Sequence, residues 1–393
     1  LTLQSGATVS GAGAISSTAS QSLTVSAVGG ISLTGASTVR TVQLTNITSG
    51  AIAYTGSSVG AGNALTVSGS NGAGGTLGIT VTETTGGLTV GAAGLVANTA
   101  GTSVSLSAAQ AVVVNGVVTT SGAGTLGITG VGLTNNSTIT GGGTITLDAG
   151  TGTLTNAGGR TITNGGGAAQ ITLQGDRMVL SGTITGGSGA VTLRPKTLAL
   201  ALGLGSATDA AGYPELSDAE LKTITTTGLL TLGDPLETGT ISVTAAVAPT
   251  NATGGISIQN RTNDISLGGS VTSAAGLTIK ADNLAGVGKI TWTAGSLVTA
   301  GAGTLTLNAA TGIGALGASP VTISGLGTGG VTVNNTTSGD VYLSSSAGTI
   351  TIGTNYFING NIGTLRLDSS TSIVIAGSPA AAISTAIALN ANG

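Results

Sequence analysis

Cysteine and histidine are both absent from the 393 residues. Without them there is no disulfide, no thiol nucleophile, no imidazole base and none of the usual donors for zinc or haem. Aromatics are almost as scarce: one Trp, one Phe and four Tyr. That is too few for the two girdles of a transmembrane barrel or for a base-stacking platform. Lys and Arg number 10 against 13 Asp and Glu, a net charge of −3. The basic residues are scattered, so the chain carries no electrostatic footprint for nucleic acid. Long apolar runs are missing too, because Asn, Thr, Ser and Gly interrupt the hydrophobic residues every few positions, which excludes a membrane-spanning helix. The glycines follow no three-residue period, so a collagen triple helix is excluded.

Charged residues make up only 6% of the chain and glycine contributes 71 residues. Such a chain escapes disorder only if its apolar residues are regularly placed, and they are. Short triads of apolar, small polar, apolar residues recur from end to end: Leu23-Thr24-Val25, Ile31-Ser32-Leu33, Val104-Ser105-Leu106, Ile145-Thr146-Leu147, Ile171-Thr172-Leu173, Ile256-Ser257-Ile258, Leu305-Thr306-Leu307, Ile350-Thr351-Ile352. Period-two alternation in β-branched residues and Leu predicts short half-buried strands. Gly, Asn, Ser and Ala between them supply turns.

Strands this short gain stability only by stacking. If each coil contributes two or three, the inward Val, Ile and Leu form continuous columns and Thr and Ser form outward ladders. The expected fold class is all-β, a parallel β-helix or solenoid. With roughly 20 to 25 residues and about 4.8 Å per coil, its length would be roughly 75 to 95 Å.

One stretch breaks the rhythm. Four of the six prolines (Pro195, Pro214, Pro235, Pro249) fall within 194–249, and 11 of the charges lie between Asp176 and Glu237. Ser217 followed by Glu220 is a capping box with Asp218 in the first turn, so a short helix is expected there. The domain reading is therefore β-helix coils over 1–193, an irregular excursion with a short helix and return strands over 194–249, and coils continuing over 250–393. Tyr213, Glu215, Asp218, Glu220 and Lys222 are the candidate contact residues, since loops on rigid scaffolds often bind partners. An insertion that merely covers an edge is the plainer alternative.

Catalysis in a β-helix needs paired carboxylates, or a basic residue beside an acidic metal site, on one face. The candidates are Asp176, Arg177, Arg194, Lys196, Asp209, Glu215, Asp218 and Glu220. Asp176-Arg177 reads as a surface ion pair and the rest as solvation of the excursion. The first 147 residues carry no charges but Arg40 and Glu83. No catalytic, cofactor-binding or metal residues are assigned. The GxGxxG matches at Gly122–Gly127 and Gly325–Gly330 lead into strand-like sequence, not the helix that a dinucleotide fold requires.

The phrases Ala190-Val-Thr-Leu-Arg-Pro195, Tyr213-Pro-Glu-Leu-Ser-Asp-Ala-Glu-Leu-Lys-Thr-Ile224, Gly228-Leu-Leu-Thr-Leu-Gly233 and Gly239-Thr-Ile-Ser-Val243 resemble the repeat regions of filamentous-haemagglutinin-like giant surface proteins of Gram-negative bacteria. Thr311-Gly-Ile-Gly-Ala-Leu-Gly-Ala-Ser-Pro320 followed by Val321-Thr-Ile323 is similar to another such phrase. The resemblance implies a right-handed β-helix, secretion to the cell surface, and a role in adhesion, aggregation or biofilm. A host or neighbouring-cell receptor or glycan would be the partner. Two alternatives stand beside it. One is a structural filament whose subunits self-associate end to end, and the mid-rhythm opening at Leu1-Thr2-Leu3 and the uncapped close suggest either an excerpt of a longer chain or stacking ends. The other is an ice-binding Thr ladder, from Thr-x-Thr at Thr144, Thr161, Thr183, Thr291 and Thr349, though these triplets are unevenly spaced.

Overall fold

The computed structural model describes all residues except 17–21, 58–63, 73–77, 166, 207–211, 282–285, 316–318, 347–348, 353–361, 376–382 and 392–393. The chain folds as a β-solenoid of stacked parallel strands, 55% strand and 1% helix. It divides into two compact units, Leu1–Ala190 and Val191–Gly393.

In the first unit one wall is built from Val9–Gly11, Ile31–Ser37, Ile52–Gly56, Ile79–Glu83, Val104–Ala108, Leu126–Thr129, Ile145–Asp148 and Ile171–Gln174. Their register aligns the triads residue for residue. Ile31, Ile52, Ile79, Val104, Leu126, Ile145 and Ile171 form one inward column, each no more than 1% exposed. Burying each such side chain contributes about 1.5–3 kcal/mol, which offsets the ordering entropy that no isolated three-residue strand overcomes. Tyr54 takes its place in the next inward column, between Leu33 and Val81. Outward between the two columns run Ser32, Ala53, Thr80, Ser105, Gly127, Thr146 and Thr172.

The opposite wall changes form partway along. The strand Gly87–Ala100 pairs with Val112–Val114 through Leu88 and with Val118–Ser121 through Leu95. Beyond it, each coil of this unit carries three short strands instead of two. Gly94 permits the bend inside that strand, with φ +76°, a conformation that costs glycine least.

In the second unit a wall of the same kind is built from Val191–Arg194, Leu230–Gly233, Ile256–Gln259, Leu277–Lys280, Leu305–Ala309 and Val331–Asn335. Coil length is uneven in both units. The step from Leu126 to Ile145 is short and that from Leu277 to Leu305 much longer. The spread is wider than the sequence rhythm suggests, because turns absorb insertions without disturbing the ladder. The stretch 194–249 belongs to one long coil, Val191 to Leu230, and to the coil that follows. It supplies wall strands of its own, Leu202–Leu204, Ile224–Thr226 and Ile241–Val243. Leu202 aligns with Ile241, and Ile241 with Ile265. The charged stretch is therefore threaded through the wall, not merely laid over it.

Candidate functional site

The predicted helix is present as Asp218–Lys222, capped by Ser217. Ser217 Oγ accepts from the Glu220 amide at 3.3 Å, and Glu220 Oε2 accepts from the Ser217 amide at 2.9 Å. Asp218 works in two directions. Its Oδ1 accepts from the Ala248 amide at 2.7 Å and its Oδ2 meets Lys222 Nζ at 2.6 Å. Glu215 is buried in the strand Glu215–Leu216, which pairs with Leu202–Leu204. Tyr213 is half-buried, and a Cβ added to Gly203 would lie 3.4 Å from its ring and 3.3 Å from the Glu215 side chain. Of the five candidate contact residues, the geometry commits Glu215, Asp218 and Glu220 to internal bonds or burial. Lys222, paired with Asp218, is exposed, and Tyr213 is half-buried.

The catalytic candidates occupy different surroundings. Asp176 is buried and Arg177 exposed, so Asp176 is not the surface carboxylate that the sequence suggests. Arg194 pairs with Asp234, Lys196 is exposed, and Asp209 lies outside the described residues. Among the described residues no group of three or more Asp or Glu is placed to hold a metal ion, and no helix is long and apolar enough to cross a membrane.

Three features escaped the sequence reading. The first is a set of buried asparagine steps. Asn46 Nδ2 donates to Asn71 Oδ1 at 2.7 Å, and Asn135 Nδ2 to Asn156 Oδ1 at 2.9 Å. The repeated Leu-Thr-Asn at 44–46, 133–135 and 154–156 was the available signal. The second is a buried acidic turn, Asp234 to Glu237. Burial pushes the Glu237 carboxyl up to about 8, against the hydrogen bond from the Asp234 amide, which lowers it; the nearby Asp234 charge adds to the rise. The third is a knot on the outer wall, where Asp368 receives Tyr342, Arg366 and Asn390. It borders a shallow hollow of about 280 Å³ lined by Ser344, Ser345, Ser369 and Ser370.

A regular threonine array stands on the first unit. Thr138, Thr161 and Thr183 form one outward column, and Thr119, Thr140, Thr163 and Thr185 the next, with Ile139, Ile162 and Ile184 buried between them. Strand geometry sets the steps at about 4.8 Å along a column and about 6.6 Å between columns. None of these hydroxyls bonds another described residue. Of the Thr-x-Thr triplets read from sequence, those at Thr161 and Thr183 join this array and are completed by Thr138-Ile139-Thr140. Thr144-Ile145-Thr146 belongs to the other wall.

Compared with known family models, curated proteins and solved structures, the chain gives no match.

Proposed function

We propose that this chain is a non-catalytic, extracellular β-helical segment of a large bacterial surface protein that acts in adhesion, aggregation or biofilm. One observation carries the reading: in-register coils bury most of the described large apolar side chains inward and turn uncharged Ser and Thr columns outward. Such a wall is stiff, resists swelling by salt or pH across most of its surface, and presents many weak hydroxyl contacts at fixed spacing. The phrase-level resemblance to filamentous-haemagglutinin-like repeats supports the same reading. Beads coated with the purified chain should aggregate one another or bind bacterial or host cells, and the chain should release no new ends from a polysaccharide panel. Separate rods in negative-stain micrographs fit this reading. Long uniform fibres with a regular axial repeat would replace it with a self-assembling filament. Enzymatic turnover on any glycan would overturn it.

A second reading draws on the threonine array. Paired hydroxyl and methyl columns at regular spacing, free of charge and of internal hydrogen bonds, suit the ordering of surface water against ice. Ice crystals grown in the protein should then become faceted, and Thr161→Lys and Thr163→Lys should abolish the faceting. Unshaped crystals at high protein concentration would remove this reading.

A further inference from the structure

The Asp234–Glu237 turn follows the long coil that ends at Leu230 and is bonded to the coil on either side. On the preceding side, Asp234 pairs with Arg194, and the amides of Thr238 and Gly239 donate to the Leu198 carbonyl at 2.6 and 3.0 Å. On the following side, the Arg261 amide donates to the Glu237 carbonyl at 2.6 Å, and Asn260 Nδ2 to the Gly239 carbonyl at 3.2 Å. Within the turn, Asp234 Oδ1 accepts from the Leu236 amide at 2.7 Å. The Glu237 amide donates to the Asp234 carbonyl at 2.9 Å, and Glu237 Oε2 accepts from the Asp234 amide at 3.2 Å.

The Glu237 side chain is folded inward under this turn. It is 0% exposed, and its Oε1 has no hydrogen-bond partner. The room comes from Gly233, in the left-handed region at φ +91°, where a Cβ would lie 3.1 Å from Glu237 Oε2 and 2.3 Å from the Gln259 carbonyl. The charged residues on the elements around it are Asp234 in its own turn, Arg194 and Lys196 on the preceding coil, and Arg261 and Asp264 on the following one. Arg194 is committed to Asp234. The Asp264 carboxylate accepts from the Lys289 amide at 2.9 Å. Among the described residues no cation bonds Glu237 Oε1. A neutral carboxyl is tolerated in this niche, whereas an ionised one would be a buried charge next to the Asp234 carboxylate.

We propose that Glu237 is a proton-operated latch on this turn. Protonated, it keeps the Asp234–Glu237 turn docked between its neighbours. On losing its proton it must leave the niche for water, which undocks the turn and breaks its bonds to Arg194, Leu198 and Arg261.

The raised pKa of this carboxyl fits the geometry and sets the window. The unfolded carboxyl ionises near 4.5 and the docked one near 8, so the docked state is fully favoured below the lower value. It loses ground as pH rises between the two and levels off above the higher.

Hydrogen exchange of the full chain, followed by mass spectrometry from pH 5 to pH 9 and corrected for intrinsic exchange, tests the latch directly. In peptides covering Leu230–Ile241 the opening constant should rise by about tenfold per pH unit across the window, then flatten. The reference strand Ile171–Gln174 should stay unchanged. Glu237→Gln should hold acid-level protection at every pH. Equal wild-type protection at pH 5 and pH 9 would overturn the proposal without reference to any variant, and so would an unaltered pH profile in Glu237→Gln.

Discussion

Tyr342 Oη donates to Asp368 Oδ2 across a coil step at 2.7 Å, and the Arg366 guanidinium lies 4.6 Å over the same tyrosine ring. Side chains from successive coils are thus held in one knot on the outer face, because Tyr342 aligns with Arg366 and Ser344 with Asp368. Asn390 joins from the next coil, its Nδ2 2.7 Å from Asp368 Oδ1.

This knot should weaken at both ends of the pH scale. Partial burial pushes the Asp368 carboxyl up, but hydrogen bonds from Arg366, Tyr342 and Asn390 and the Arg366 charge outweigh it and hold the group below its ordinary 3.8. Its stabilisation is present above 3.8 and is lost as pH falls through the lowered value. Tyr342 is raised above 10.0, by burial first and then by Asp368, so its share is present below 10.0 and declines at higher pH. Tyr342 is only 8% exposed, but Asp368 keeps Arg366 and Asn390 as partners when the hydroxyl is removed, so Tyr342→Phe should cost about 0.5–1.5 kcal/mol in urea titration. A loss of several kcal/mol would show that the knot does more than clamp the surface.

The buried asparagine steps should matter more than the surface knot. Asn135 is 0% exposed, its Oδ1 accepts from the Ser137 amide at 3.1 Å, and its Nδ2 serves Asn156. Asn135→Ala strips both and should destabilise the first unit by about 1–3 kcal/mol. Chemical denaturation followed by circular dichroism measures this.

Inward and outward residues of one strand should respond in opposite ways. Ile162 is 0% exposed between Ile139 and Ile184, and Ile162→Ala should cost about 2–5 kcal/mol. Its neighbour Thr163→Lys should stay within about 0.5 kcal/mol. Comparable losses for the two variants in the same denaturation assay would mean that the register is wrong by one residue.

Two glycines should differ just as sharply. A Cβ at Gly189 would lie 1.9 Å from the Ala169 carbonyl oxygen, so Gly189→Ala should lose about 1–3 kcal/mol or more by forcing neighbouring turns apart. Gly127 has nothing within 4 Å of its Cβ position and stands between Ser105 and Thr146 in an outward column. Gly127→Thr should gain roughly 0.5–1 kcal/mol by completing the ladder. Thermal melts of the two variants report the sign of each change.

The triads alone determined that strands form, which face is buried and that the coils stack in parallel, since alternation such as Ile145-Thr146-Leu147 has only one stable orientation against a shared interior. The Ser217–Glu220 capping box was legible for the same reason: the spacing of the two residues is the whole of the interaction. Coil length was not legible, because Gly-rich turns accept the short step from Leu126 to Ile145 and the long one from Val191 to Leu230 at little energetic difference. Nor was the alignment of Thr138, Thr161 and Thr183, which only the register of three separate coils brings into one column. Tertiary structure also decided the fate of the charged residues. Glu220 and Glu237 look alike in sequence, yet one caps a helix at the surface and the other is enclosed between coils. Only the stacking of distant segments determines how much water a carboxyl retains, and at Glu237 the resulting burial is what pushes the group up.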